Sequence, residues 1–101
     1  MQNTKRDEGA FLTPAARADL RHIWRHSAKQ WSIGQADRYV KSIRAACLDL
    51  ASGQKPGQRA NAPGYMKCVV GSHIIYYRIQ DASIVVVRIL HGMMDANKHL
   101  H

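Results

Sequence analysis

Residues 63–91 constrain the fold more than any other stretch of this chain. Pro63-Gly64-Tyr65-Met66-Lys67-Cys68-Val69-Val70 runs into Gly71-Ser72 and then His73-Ile74-Ile75-Tyr76-Tyr77-Arg78-Ile79. β-Branched and aromatic residues flank two turn-forming residues, the pattern of a β-hairpin. A two-residue loop with Gly first suits a type II′ turn, whose backbone twist matches the strands it joins. Such a turn sets the register: Val70 opposes His73, Cys68 opposes Ile75 and Met66 opposes Tyr77. A third strand follows the turn at Asp81, reading Ser83-Ile84-Val85-Val86-Val87-Arg88-Ile89-Leu90-His91.

Period-2 alternation then sorts these side chains onto two faces. Met66, Cys68, Val70, Ile75, Tyr77 and Ile79 form the better core face, and Val85, Val87 and Ile89 of the last strand suit it too. The second face carries Tyr65, Lys67, Val69, Ile74, Tyr76 and Arg78, joined by Ile84, Val86, Arg88 and Leu90. It is half apolar and half cationic, so it is expected to be covered in the working complex.

The cover for the core face lies upstream. Thr13-Pro14 is a helix start, with Thr as N-cap and Pro at the first helical position. Ala16, Leu20, Ile23, Trp24, Ser27, Ala28 and Trp31 recur at helical spacing as one buried stripe. Trp24 and Trp31 on that stripe read as core packing. Arg17, Arg21, Arg25 and Lys29, four apart, form a separate basic ridge, read either as a solvated surface or as a docking ridge for an acidic partner. Ser32 and Gln35 fit a capping box. A second helix follows with Ala36, Tyr39, Val40, Ile43, Cys47 and Leu50 on one face, Asp37 and Lys41 as an i,i+4 pair, and Gly53 as its stop. The short link makes the two helices antiparallel neighbours.

Ala10–Thr13 reads as a brief first strand, residues 1–9 as disordered, residues 54–63 as loop, and residues 93–100 as a short closing helix or a loose tail. The expectation is one α+β domain over residues 1–101: a small antiparallel sheet with an N-terminal helical hairpin packed on one face, ordered β-α-α-β-β-β with a short C-terminal helix.

Fifteen Lys+Arg against seven Asp+Glu give a formal charge of +8, which favours an acidic partner. Cys47 and Cys68 are too few for a disulfide framework or a zinc site; they read as buried free thiols in a reducing cytosol. Residues 1–10 lack the apolar core of a secretory leader, and no apolar run approaches the roughly 18–20 residues of a membrane span. The expectation is therefore a cytoplasmic protein with no membrane partner.

Chemistry has few places to sit. Lys67, Arg78 and Arg88 with Tyr65 and Tyr76 suit either RNA, through phosphate contacts and base stacking, or a protein partner, for which Tyr and Arg are frequent anchors. The protein reading is favoured. His91 is a candidate general acid or base, but catalysis needs a second group, and only Asp81 and Asp95 lie near it in sequence. A single histidine at a strand end is more often structural. His22, His26, His73, His99 and His101 show no metal-ligand spacing, and no cofactor fingerprint, P-loop or nucleophile elbow is present.

The order of elements, together with Leu12-Thr13-Pro14-Ala15-Ala16-Arg17-Ala18-Asp19-Leu20, Ile23-Trp24, Gln35-Ala36-Asp37-Arg38-Tyr39, Pro63-Gly64-Tyr65, Val70-Gly71-Ser72-His73, Tyr76-Tyr77-Arg78-Ile79 and Val87-Arg88-Ile89-Leu90-His91, resembles the ParE branch of the RelE/ParE toxin superfamily. The likeness runs from about Phe11 to Leu100. It implies a non-catalytic toxin of a type II toxin–antitoxin pair. Its partners would be a ParD-like antitoxin, which wraps it in a hetero-oligomer, and DNA gyrase as the target; DNA would be reached only through the antitoxin. No cofactor is implied.

Ribonuclease relatives on the same fold cut mRNA at the ribosome, and some of them place a catalytic histidine where His91 stands. The alternative reading is therefore a RelE-like, ribosome-dependent mRNA endonuclease with His91, Arg78 and Lys67 as its catalytic set. Here Gly92-Met93-Met94 follows His91 in place of a terminal aromatic, and Met66-Lys67 replaces the basic pair that ParE chains often carry after Pro-Gly-Tyr. On this reading Arg21, Arg25, Tyr65, Lys67, Tyr76, Arg78 and Arg88 are the candidate antitoxin or gyrase contacts. Trp24 and Tyr39 are core.

Overall fold

The computed structural model describes residues 9–100. Strand β1 (Ala10–Leu12) leads into α1 (Pro14–Gln30) and α2 (Ile33–Ser52), followed by β2 (Gln58–Arg59), β3 (Met66–Val70), β4 (His73–Gln80), β5 (Ser83–His91) and a single 3-10 turn at Ala96–Lys98. The expected disorder of residues 1–8 falls outside the described residues. Gly9, included in the same expectation, leads into β1, and its carbonyl accepts from the Ile84 N–H at 2.8 Å.

Both helix starts follow from their caps. Thr13 Oγ1 accepts from the Ala16 N–H at 3.1 Å and donates to the Val87 carbonyl at 2.8 Å, so one hydroxyl caps α1 and ties it to β5. Ser32 Oγ accepts from the Gln35 N–H at 3.0 Å. The other half of the expected capping box is absent, because Gln35 Oε1 accepts instead from Arg38 Nη2. Gly53 closes α2 with a φ of +83° that a side-chain-bearing residue would resist.

The sheet order is β1-β5-β4-β3-β2. Pairing is antiparallel except between β1 and β5, which run parallel, so the sheet is mixed at that edge. Strand β2 lies inside the stretch expected to be loop and pairs Gln58 with Lys67 and Arg59 with Met66. The β3–β4 register is the one the turn dictates, with Val70 opposite His73, Cys68 opposite Ile75 and Met66 opposite Tyr77. Gly71 takes a φ of +57°, and a Cβ there would lie 2.8 Å from the Tyr39 ring.

The β4–β5 register departs from simple alternation. Tyr76 opposes Arg88 but Tyr77 opposes Val86, which leaves Val87 as the extra residue of a bulge. The bulge reverses the parity of the first half of β5. Ile84 and Val86, expected on the second face, are buried against the helices, whereas Val87, expected in the core, packs on the opposite side. Ile89, beyond the bulge, stays in the core as expected. Ile79 is 66% exposed, not buried: β3 ends its pairing with β4 at Tyr77, so no β3 residue pairs beside Ile79 on that side.

The main core sits between the helical hairpin and the sheet, around Leu20, Ile23, Ile43, Cys47, Ile75, Tyr77, Val86 and Ile89. The back of the sheet has a core of its own. Tyr76 and Leu90 are buried there beneath Ala62 and Leu100, with Tyr65, Ile74, Val87 and Ala96 around them. The chain's own C-terminal segment thus covers part of the face expected to await a partner. Trp31 is 75% exposed, contrary to its place on the apolar stripe, because α1 ends at Gln30 and residue 31 leaves the helical path. Trp24 and Tyr39 are half-buried. Trp24 donates its indole N–H to Asp37 Oδ1 at 2.8 Å across the helix pair.

Candidate functional site

On the back of the sheet the sequence-predicted residues are dispersed. Tyr76 is buried in the second core, and burial raises its hydroxyl pKa. Lys67 is half-buried between Gln58 and Tyr76 in the strand order. Exposed Arg78 lies over the Tyr65 ring, 5.8 Å from its centroid, within cation–π range.

Arg88 does not project freely. Its Nε and Nη2 donate to Asp19 Oδ2 and Oδ1 of α1, each at 2.8 Å, and the Ile89 N–H donates to the same Oδ2 at 2.8 Å. The arrangement follows from how β1 ends. Strand β1 pairs with β5 only as far as Val86, Thr13 then takes up the Val86 and Val87 carbonyls, and Asp19 takes up the next edge N–H. A fork-to-carboxylate pair of this kind fixes direction as well as charge.

Beyond Asp19 the edge of β5 is open, and a groove of about 500 Å3 runs between it and α1. Ile23, Ile89 and Leu90 form its floor, Met94 one lip, and His22, His26, His73 and His91 its walls. A smaller recess of about 280 Å3 continues toward the helix–helix link, past Trp31, Gln35 and Tyr39. Where the two meet, Tyr39 knits α2 to the β3–β4 turn. Its hydroxyl accepts from the Ser72 N–H at 3.1 Å and lies 2.7 Å from His73 Nδ1 and 3.2 Å from the Val70 carbonyl. His73 and His91, cross-strand partners, meet edge to face with centroids 5.3 Å apart. Burial, then positive charge on His91 and on His26, lowers the His73 pKa below its ordinary value, against a smaller opposing pull from Asp19.

Sequence spacing missed this histidine cluster, since its members come from α1, β4 and β5. The signal was present in the strand register: a hairpin that opposes His73 to His91 brings both to one end of the sheet. Among the described residues no group of His, Cys, Asp or Glu side chains is arranged to hold a metal ion.

The alternative catalytic set is not assembled. His91 stands level with His73, Lys67 level with Tyr76, and Arg78 farther along β4. These levels are separated by about 10 Å and about 16 Å from that of His91, at about 3.3 Å per strand residue. The thiols offer no nucleophile: burial pushes Cys47 up to about 12 and raises Cys68 as well. Arg21 and Arg25 are exposed on α1, facing away from the sheet. No helix among the described residues is long and apolar enough to cross a membrane.

Residues 10–96 match the family model described as the ParE toxin of the type II toxin–antitoxin system, parDE. The chain belongs to the ParE toxin family. Toxin ParE1 of Mycobacterium tuberculosis is 36% identical over 93 residues, covering 89% of this chain and 95% of that one. Toxin ParE1 of Caulobacter vibrioides is 34% identical over 91 residues, covering 88% and 94%. Among solved structures, the chromosomal ParDE toxin–antitoxin system from P. aeruginosa aligns with a TM-score of 0.70 at 22% identity over 82% of this chain and 94% of that chain. The RelBE2 toxin–antitoxin complex from Mycobacterium tuberculosis aligns at 0.61 and 18% identity over 91% and 99%. These two similarities establish a common fold. In this ParE-family chain the elements that carry the fold are the helical hairpin, the β3–β4 hairpin and the long β5.

Proposed function

We propose that this ParE-type toxin acts without catalysis, by binding DNA gyrase, and is neutralised by a ParD-like antitoxin. The observation that carries the reading is the family match over residues 10–96, most of the chain. The geometry is consistent with it. Lys67, Arg78 and His91 stand at separate levels of the sheet, while the groove beside β5 and the exposed Trp31 and Ile33 offer apolar docking surface. An antitoxin segment lying across α1 and the open β5 edge fits the apolar floor of that groove. Acidic residues on such a segment would answer the +8 charge, and its folding would be coupled to binding. Tyr65, Lys67 and Arg78 remain the candidate contacts on the sheet, and Arg21 and Arg25 stand exposed on α1, outside the groove. Arg88 is engaged by Asp19 and Tyr76 is buried, so both act by shaping the surface.

The test is induction of the toxin alone and together with its antitoxin, with transcripts mapped in both cultures. Growth arrest relieved by the antitoxin, with transcripts intact, is the expected result. Cut transcripts abolished by His91→Ala would transfer the chain to the ribonuclease reading.

A further inference from the structure

The helical hairpin carries a charge pattern that the docking groove does not use. Between residues 14 and 52 stand seven basic residues and three acidic ones. Two of the three acids are already engaged, Asp19 by Arg88 and Asp37 by the Trp24 indole, and Asp49 lies in the last turn of α2. The Asp19–Arg88 contact is the one ion pair among the described residues. Arg21, Arg25, Lys29, Lys41 and Arg44 are exposed and have no carboxylate partner there.

Helix geometry gathers these cations on one surface. Arg21, Arg25 and Lys29 lie opposite the buried stripe of Ala16, Leu20, Ile23 and Ser27. The bond between Trp24 and Asp37 fixes how the antiparallel helices stand beside each other. Equal steps from it bring Arg44 to the level of Arg17, and Lys41 to within one residue of the level of Arg21. From Arg17 to Lys29 the ridge extends about 18 Å, at about 1.5 Å per residue.

We propose that this outer face of the α1–α2 hairpin binds the phosphate backbone of duplex DNA directly. An acidic protein is the competing occupant, and the composition of the face argues against it. Protein interfaces centre on apolar and aromatic anchors with charge depleted from the middle. Here Ala18 and Ala45 stand among the cations, and an apolar recess lined by Trp24, Ala28 and Ile33 adjoins Arg25 and Lys29, so the apolar surface lies toward the end of the ridge nearest the link between the helices. Protein–DNA interfaces are polar and strongly positive, and arginine, which dominates this face, presents a planar fork to phosphate oxygens. A four-residue helical step of about 6 Å also approximates the axial rise over two phosphate steps on one strand, about 6.8 Å, so successive ridge cations match alternate phosphates. The resemblance to ParE implied DNA contact only through the antitoxin; this face adds a contact by the toxin itself, beyond the gyrase reading. It would favour gyrase already loaded on DNA over free enzyme.

The test is fluorescence anisotropy of a short labelled duplex with the full-length protein, in the absence of gyrase and antitoxin. If four cations meet phosphates, the plot of log affinity against log salt has a slope of about −3.6, on the order of a hundredfold loss between about 50 and about 200 mM salt. The Arg21→Gln/Arg25→Gln variant removes two contacts and brings the slope to about −1.8. A Lys55→Gln/Arg59→Gln variant, off the ridge, keeps the full slope. Absence of duplex binding overturns the proposal, as does a slope that the ridge variant leaves unchanged. So does ridge-dependent binding of poly-glutamate without binding of duplex, which would assign the face to an acidic protein. Because the mixture lacks gyrase and antitoxin, none of these failures bears on the toxin reading.

Discussion

Replacing Asp19 by Ala removes one carboxylate that holds both the Arg88 guanidinium and the Ile89 N–H. Its effect should be large for a single surface-proximal residue. The side chains of Arg88 and Asp19 are 23% and 12% exposed, so the pair lies between the exposed and buried limits. Exposed ion pairs contribute about 0–1 kcal/mol, whereas breaking a buried pair costs about 3–5 kcal/mol. The orphaned Ile89 N–H adds about 1–3 kcal/mol of its own where water cannot reach it. Together these place Asp19→Ala at about 2–4 kcal/mol of lost stability, on the order of 10–20 °C in Tm for a domain of this size. Asp19→Asn keeps an acceptor for Ile89 and loses the charge, so about half the loss is expected. Urea unfolding followed by circular dichroism measures both. The reasoning is refuted if Asp19→Ala lies within about 0.5 kcal/mol of the parent, the range of an ordinary surface change.

Four further outcomes follow from the same geometry. Gly71→Ala combines a φ of +57° with a Cβ 2.8 Å from the Tyr39 ring, and should cost at least about 1–2 kcal/mol in a denaturant melt. Tyr77 is buried with no hydrogen-bond partner for its hydroxyl among the described residues, so Tyr77→Phe should leave stability within about 0.5 kcal/mol. Gly57→Ala, whose Cβ would collide with that hydroxyl, should destabilise clearly in the same assay. His73 has a folded pKa below its ordinary 6.5. The unfolded chain therefore takes up the proton first as pH falls, and stability declines from about pH 6.5 down to the folded value. Urea midpoints between neutral and mildly acidic pH should show that decline, and His73→Asn should flatten it.

Local signals made most of the frame legible in the sequence. Thr13-Pro14, Ser32 and Gly53 mark the helix ends, and Gly71-Ser72 fixes the β3–β4 register, because caps and tight turns depend on residues within a few positions of one another. The β4–β5 register was not legible in this way. A bulge at Tyr76/Tyr77 inserts one residue, and with a period of two that is enough to exchange the faces of Ile84 and Val86 with those of Val85 and Val87. Strand β2 was hidden because two residues among Gly and Pro carry no periodicity. The candidate site was harder still. Asp19 meets Arg88 across 69 positions and Tyr39 meets His73 across 34. Such contacts arise from the tertiary arrangement of α1, α2 and β5, with no sequence spacing to announce them. The basic ridge, by contrast, was visible as a four-residue repeat of cations, and the structure adds that its two nearest acids are engaged elsewhere.

The most direct test of the account is a gyrase supercoiling assay with the purified full-length protein, with and without its antitoxin. The account predicts that the toxin inhibits supercoiling in a dose-dependent manner, that the antitoxin restores it, and that His91→Ala inhibits as well as the parent. Undiminished supercoiling at toxin concentrations that arrest growth would contradict it.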